Sequence, residues 1–85
     1  MSLDEKFNVA AEKVKKFSKR PPDSDMLEIY ALYKQSTVGD TNIPKPGDSV
    51  AAAKWSAWNG KKGLASSKAK EEYIAKVNTL APKYA

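Results

Sequence analysis

The chain has 85 residues, 41% of them hydrophobic and 29% charged, with fifteen lysines and arginines against ten acids and with neither cysteine nor histidine. This balance excludes a disordered chain, and the length provides one domain, residues 1–85, with a modest core. Without cysteine or histidine there are no disulfides, no thiolate chemistry and none of the common zinc ligand sets; the net charge of +5 favours polyanionic ligands.

The first predicted element is an amphipathic helix through Leu3, Phe7, Ala10, Val14 and Phe17. Ser2 and Glu5 supply a capping box for its start, and Arg20-Pro21-Pro22 bars it from continuing. The opening MSLDEKF carries acids and no apolar signal core, and no later apolar run approaches the roughly 18 residues that span a bilayer. The expectation is a cytoplasmic protein.

Asp23 or Ser24 is expected to cap a second helix that runs to about Thr37, with Gly39 at its exit. On it Tyr30, Tyr33, Lys34 and Thr37 fall at i, i+3, i+4 and i+7, one face that is half aromatic and half cationic. Val38 to Asp48, VGDTNIPKPGD, reads as a long connection. A third helix is predicted from about Ser49 to Lys61, ended by Gly60 and Gly63, and carries Lys54-Trp55 and Trp58. Trp58 is expected in the core, whereas Lys54 beside a half-exposed indole would complete a cleft opposite the helix-two tyrosines. The last helix runs through Ala69, Tyr73, Val77 and Leu80, and Pro82 is expected to end or loosen it near Ala81.

Four helices with one apolar stripe each satisfy themselves by packing on one another, so the fold class is all-α, a four-helix bundle. The long link between helices two and three suits an overhand connection that leaves them parallel, in up-down-down-up order. Tyrosine faces and lysine stems suit an aromatic base, and ammonium groups suit phosphate. Gly60-Lys61-Lys62-Gly63 lacks the spacing of a phosphate loop, so a nucleotide would be held by side chains.

YxxYKQxTVGD on helix two, the Pro-Gly loop, KWxAWN on helix three, YIxKV on helix four and FNVAAEKVKKF on helix one together resemble the acyl-CoA-binding protein family. The resemblance spans nearly the whole chain. It implies the up-down-down-up bundle and a non-catalytic intracellular carrier, buffer and protector of long-chain acyl-CoA thioesters. It also implies that Tyr30 and Tyr33 hold the adenine region and that Lys34 and Lys54 meet the ribose 3′-phosphate and its neighbours. Tyr73, Lys15, and Met26 with Leu27 along the acyl path complete the implied site. No cofactor or metal is expected, the state is monomeric, and contact with membranes or acyl-CoA-using enzymes would be transient. One departure stands out: the family often shows KGKAKW before helix three, where this chain has Val50-Ala51-Ala52-Ala53-Lys54-Trp55. Lys54 then carries more of the head-group charge alone, and the connection before it is shortened.

A carrier fits the ligand's chemistry. Each buried methylene contributes about 0.8 kcal/mol, so ten give roughly 8 kcal/mol gross, against about 0 to 1 kcal/mol for each exposed ion pair at the head. Catalysis lacks a base, and Glu71 and Glu72 point to different helix faces. The competing reading is an HMG-box-like DNA-bending domain, suggested by Lys19-Arg20-Pro21 ahead of aromatic residues. A full helix precedes that tripeptide, and ten acids dilute the charge that nonspecific DNA binding requires, so no nucleic-acid partner is expected.

Overall fold

Capping decides where the first helix begins, and a tertiary contact decides where it stops. In the computed structural model, which describes residues 1–85, α1 spans Leu3–Lys15; Ser2 Oγ accepts from Glu5 N at 3.1 Å and Glu5 Oε1 accepts from Ser2 N at 3.2 Å, the capping box expected. The helix ends well before Pro21. Phe17 N bonds Val14 O in a tightened turn, and Ser18 N and Lys19 N then donate to Tyr84 O, at 2.8 and 3.2 Å, so the far end of the chain takes the donors that a longer helix would have used.

The second helix, α2, spans Asp23–Thr37. Neither Asp23 nor Ser24 caps it, contrary to expectation: Pro22 holds the cap position, and its carbonyl accepts from Asp25 N and Met26 N, both at 3.0 Å. The pyrrolidine ring presets the entry angle, and both residues fall inside the first turn. Gly39, with φ of 96°, makes the exit that a side chain would strain.

Asp48 caps α3, Ser49–Asn59, by accepting from Ala51 N at 3.0 Å. It ends short of Lys61, because Lys61 N and Lys62 N turn back onto Trp58 O and Asn59 O and lead to Gly63 at φ 91°. The last helix, α4, spans Ser66–Tyr84 and passes through Pro82, where the sequence pointed to a break. In a final turn proline removes only one bond, and Ala85 N still reaches Ala81 O at 2.9 Å while Tyr84 O anchors the α1–α2 link.

Cross-helix contacts give the directions. Lys70–Asp4 and Lys13–Asn78 advance together, so α1 and α4 are parallel; Lys76–Asp25 and Gln35–Leu64 run in opposition, so α2 opposes α4. Tyr30 meets Lys54 and Lys34 meets Trp58, which makes α2 and α3 parallel. The order is up-down-down-up, with α1 on α4, α4 on α2 and α3 on α2. Phe7 and Ala10, Ile29 and Leu32, and Tyr73, Val77 and Leu80 form the core among α1, α2 and α4, each large apolar side chain contributing about 1.5–3 kcal/mol. Packed on α2 alone, α3 leaves a groove along that seam.

The long connection is pinned by side chains. Trp58 Nε1 donates to Gly39 O at 2.7 Å, Trp55 Nε1 to Ile43 O at 2.8 Å, and Thr41 Oγ1 to Asn59 Oδ1 at 2.7 Å. Asp40 closes the other end, accepting from Gly63 N and Gln35 Nε2, both at 2.8 Å. These bonds hold its carboxyl below the usual carboxylate range, Gly63 N–H first, then Gln35, with Lys62 adding a weaker attraction. A carboxyl lowered by folding contributes stability above its unfolded pKa and loses it as pH falls through the lowered value. Asp40→Ala should therefore flatten the acid limb of the stability curve; an acid limb identical to the wild type in urea melts between pH 2 and 5 would refute that role.

Candidate functional site

The α2–α3 seam opens into a cavity of about 470 Å³. Its α2 wall is Met26, Leu27 and Tyr30, its α3 wall Ser49, Val50, Ala53 and Lys54, and Arg20 and Asp23 close the end where both helices begin. Met26 and Leu27 are half-buried, one turn ahead of Tyr30, so α2 presents an apolar floor that finishes in an aromatic ring.

Lysines stand at the other end. Lys54 Nζ lies 5.5 Å from the Tyr30 ring centroid, and Lys34 Nζ lies 5.0 Å from that of Trp58. Neither ammonium belongs to any of the five ion pairs in the chain. The exposed Lys54 gains about 0.5–1 kcal/mol from its ring, less than the roughly 1.5–3 kcal/mol of a hydrogen bond to a charged group. The rings hold the two lysines in place without competing with an incoming phosphate. Trp58, 3% exposed, is core as expected.

Tyr30 and Tyr33 share a helix but turn to different neighbours. Tyr30 faces α3, whereas Tyr33 stacks on Phe7 of α1 at 5.6 Å and 19°, with 42% of its surface still in solvent. Tyr73 backs this pair, 4.9 Å from Phe7 and 6.0 Å from Tyr33. It is 2% exposed, and burial, followed by the neighbouring Tyr33, pushes its hydroxyl up to about 12. The core thus claims Tyr73, and its ring does not line the groove.

Lys15 is not brought to the groove either. It sits on the last turn of α1, its side chain 73% exposed and 3.5 Å from Glu12. Trp55 turns its indole N–H to the connection, so it is not the cleft wall expected beside Lys54. Reading the residues did not bring out Arg20, Asp23, Ser49 or Ala53 as lining groups. A second groove of about 480 Å³ lies between α2 and α4, where Asp25 pairs with Lys76 at 2.8 Å and Glu28 with Lys61 at 2.6 Å; its remaining charged residue, Glu72, is an acid that repels a phosphate. There is no cluster of acidic side chains that could hold a metal ion, and no helix is long and apolar enough to cross a membrane.

Comparison with known proteins places this geometry. The sequence model of the family described as "Acyl CoA binding protein" matches residues 4–77. An acyl-CoA-binding protein homolog of Drosophila melanogaster is 52% identical over 85 residues, covering 98% of this chain and 99% of that protein. The acyl-CoA-binding protein of Dictyostelium discoideum is 47% identical over 81 residues, 93% of this chain and 96% of that one. Among solved structures, the crystal structure of Oryza sativa acyl-CoA-binding protein 2 superposes with a TM-score of 0.90 at 36% identity, covering 96% of this chain and 93% of its own.

Proposed function

The chain belongs to the acyl-CoA-binding protein family, and we propose that its α2–α3 groove takes the acyl chain while Lys34 and Lys54 take the phosphates. It binds long-chain acyl-CoA thioesters without catalysing their reaction, as a carrier that buffers and shields them. The observation that carries this reading is the pairing of two acid-free lysines, each on an aromatic ring, with an apolar floor of Met26, Leu27, Val50 and Ala53. A polyanion with a hydrocarbon tail satisfies both parts at once. No cofactor is needed for that task, and the family match leaves the DNA-bending alternative without support.

The finer assignments extend the same reading. Tyr30 and the exposed face of Tyr33 stack the adenine region, Tyr73 acts by backing Tyr33, and Lys15 approaches the head group from α1 by swinging off Glu12. Residues 1–85 act as one domain and as a cytoplasmic monomer, whose meetings with membranes and with acyl-CoA-using enzymes are transient.

Calorimetric titration tests the reading. Palmitoyl-CoA is expected to bind at least a hundredfold more tightly than free CoA, since even four buried methylenes contribute about 3 kcal/mol. Free palmitate and a short DNA duplex should bind weakly. Equal affinities for CoA and its palmitoyl ester, or tighter binding of the duplex, would overturn it.

A further inference from the structure

Arg20 and Asp23 are joined by an ion pair at the end of the groove farthest from Lys54, where the parallel α2 and α3 both begin. Their backbone is held in place. Lys19 N bonds Tyr84 O at 3.2 Å, Pro21 is almost fully buried, Pro22 is the cap, and Asp23 is the first residue of α2. Their side chains stay in water, 69% and 81% exposed. A hydrated charge pair thus stands at a fixed place across the mouth of an apolar channel.

We infer that the Arg20–Asp23 pair is the tail-end stop of the groove and sets how much acyl chain the protein holds. The inference rests on the groove reading given above. Seven residues of α2 separate Tyr30 from Asp23, about 10 Å at a rise of about 1.5 Å each. An extended chain of carbon–carbon bonds of about 1.5 Å advances roughly 1.3 Å per carbon, so about eight carbons run from the level of Tyr30 to the pair. Within that span each methylene leaves water for Met26, Leu27, Val50 or Ala53, and raises affinity about fourfold. A methylene that reaches the pair must cover the guanidinium or the carboxylate, which strips hydration that nothing replaces, before it can meet Val14, Phe17 and Pro21 of the neighbouring recess that shares Arg20 and Met26 with the groove. The gain per carbon then stops. Ser49 lines the α3 side near that end and brings a hydroxyl.

The experiment is calorimetry with saturated acyl-CoA esters from octanoyl to octadecanoyl, on the wild type, Arg20→Lys and the double variant Arg20→Met with Asp23→Ser. In the wild type the logarithm of affinity should rise by about fourfold per methylene and then break to less than about twofold. Arg20→Lys, which keeps a charge pair, should keep the break; the double variant should continue the steep rise through at least two further carbons. An unbroken wild-type line, or a break unmoved in a double variant that melts as the wild type does, overturns the inference. If the double variant does not fold, Arg20→Met alone is held to the same criterion. Failure of the groove reading itself looks different: Tyr30→Ala and Lys54→Ala would then bind every ester as tightly as the wild type, and the stop would fall with it.

Discussion

Lys54→Ala is expected to weaken long-chain acyl-CoA binding tenfold to a hundredfold, more than truncation of any other single lysine. A hydrogen bond to a charged group contributes about 1.5–3 kcal/mol, and each 1.4 kcal/mol is about tenfold in affinity. Its position makes the effect large. Lys54 is the one lysine that lines the groove, and its ammonium rests on Tyr30, which in the proposed complex puts it at the junction between tail and head. Val50, one turn earlier on α3, lines the same wall as an apolar residue with 64% of its surface exposed, so no cation on that turn shares the work. The lysine itself is exposed and outside the ion pairs, and its loss should leave the melting temperature nearly unchanged.

The ester of dephospho-CoA serves as the control. It lacks the 3′-phosphate, so a variant that has lost the cation reading that group should bind it as the wild type does. If Lys54→Ala weakens both esters equally, Lys54 reads another part of the head. If the loss stays below about threefold, well under the lower end for a charged hydrogen bond, Lys54 makes no phosphate contact.

Local signals carried much of the architecture. Ser2 with Glu5 and Gly39 after Thr37 are short-range devices, and each acts in the structure where its neighbours in the chain place it. The tyrosine–lysine face of α2 was visible because four side chains at helical spacing share a surface whatever they pack against. What could not be read depends on partners distant in sequence. Helix α1 stops at Lys15 because, after Lys16 N and Phe17 N turn back onto Lys13 O and Val14 O, Tyr84 across the molecule accepts from Ser18 N and Lys19 N. Tyr30 and Tyr33 part company because α3 lies on one flank of α2 and Phe7 on the other. Arg20 and Asp23 join the groove only because parallel helices bring the starts of α2 and α3 together, a proximity that no spacing along either segment encodes. Pro82 shows the reverse case, a strong local signal overruled at a helix end, where the missing bond costs least.

Tyr73 separates a structural role from a binding role. With 2% exposure among Phe7, Val77 and Leu80, its truncation to alanine should cost about 3–5 kcal/mol, as for other large buried aromatics. Against the roughly 5–15 kcal/mol of a typical domain that is a large share, and for a chain of this size it lowers the melting temperature by at least about 12 °C. Weak ligand binding by Tyr73→Ala would then report unfolding and the loss of the ring behind Tyr33. Tyr73→Phe isolates the hydroxyl. It keeps the ring against Phe7 and Tyr33, so affinity for palmitoyl-CoA should stay within about threefold of the wild type, less than most hydrogen bonds to a charged group contribute. Its signature lies in alkali. A hydroxyl raised by folding from 10.0 to about 12 contributes stability that is complete below pH 10 and lost as pH climbs through 12. Phenylalanine at this position can neither make nor lose that contribution. Urea melts of the two proteins between pH 9 and 12 should therefore diverge, the wild type falling more steeply. Parallel alkaline limbs would mean that the hydroxyl is not buried, and an alanine variant melting within a few degrees of the wild type would take Tyr73 out of the core altogether.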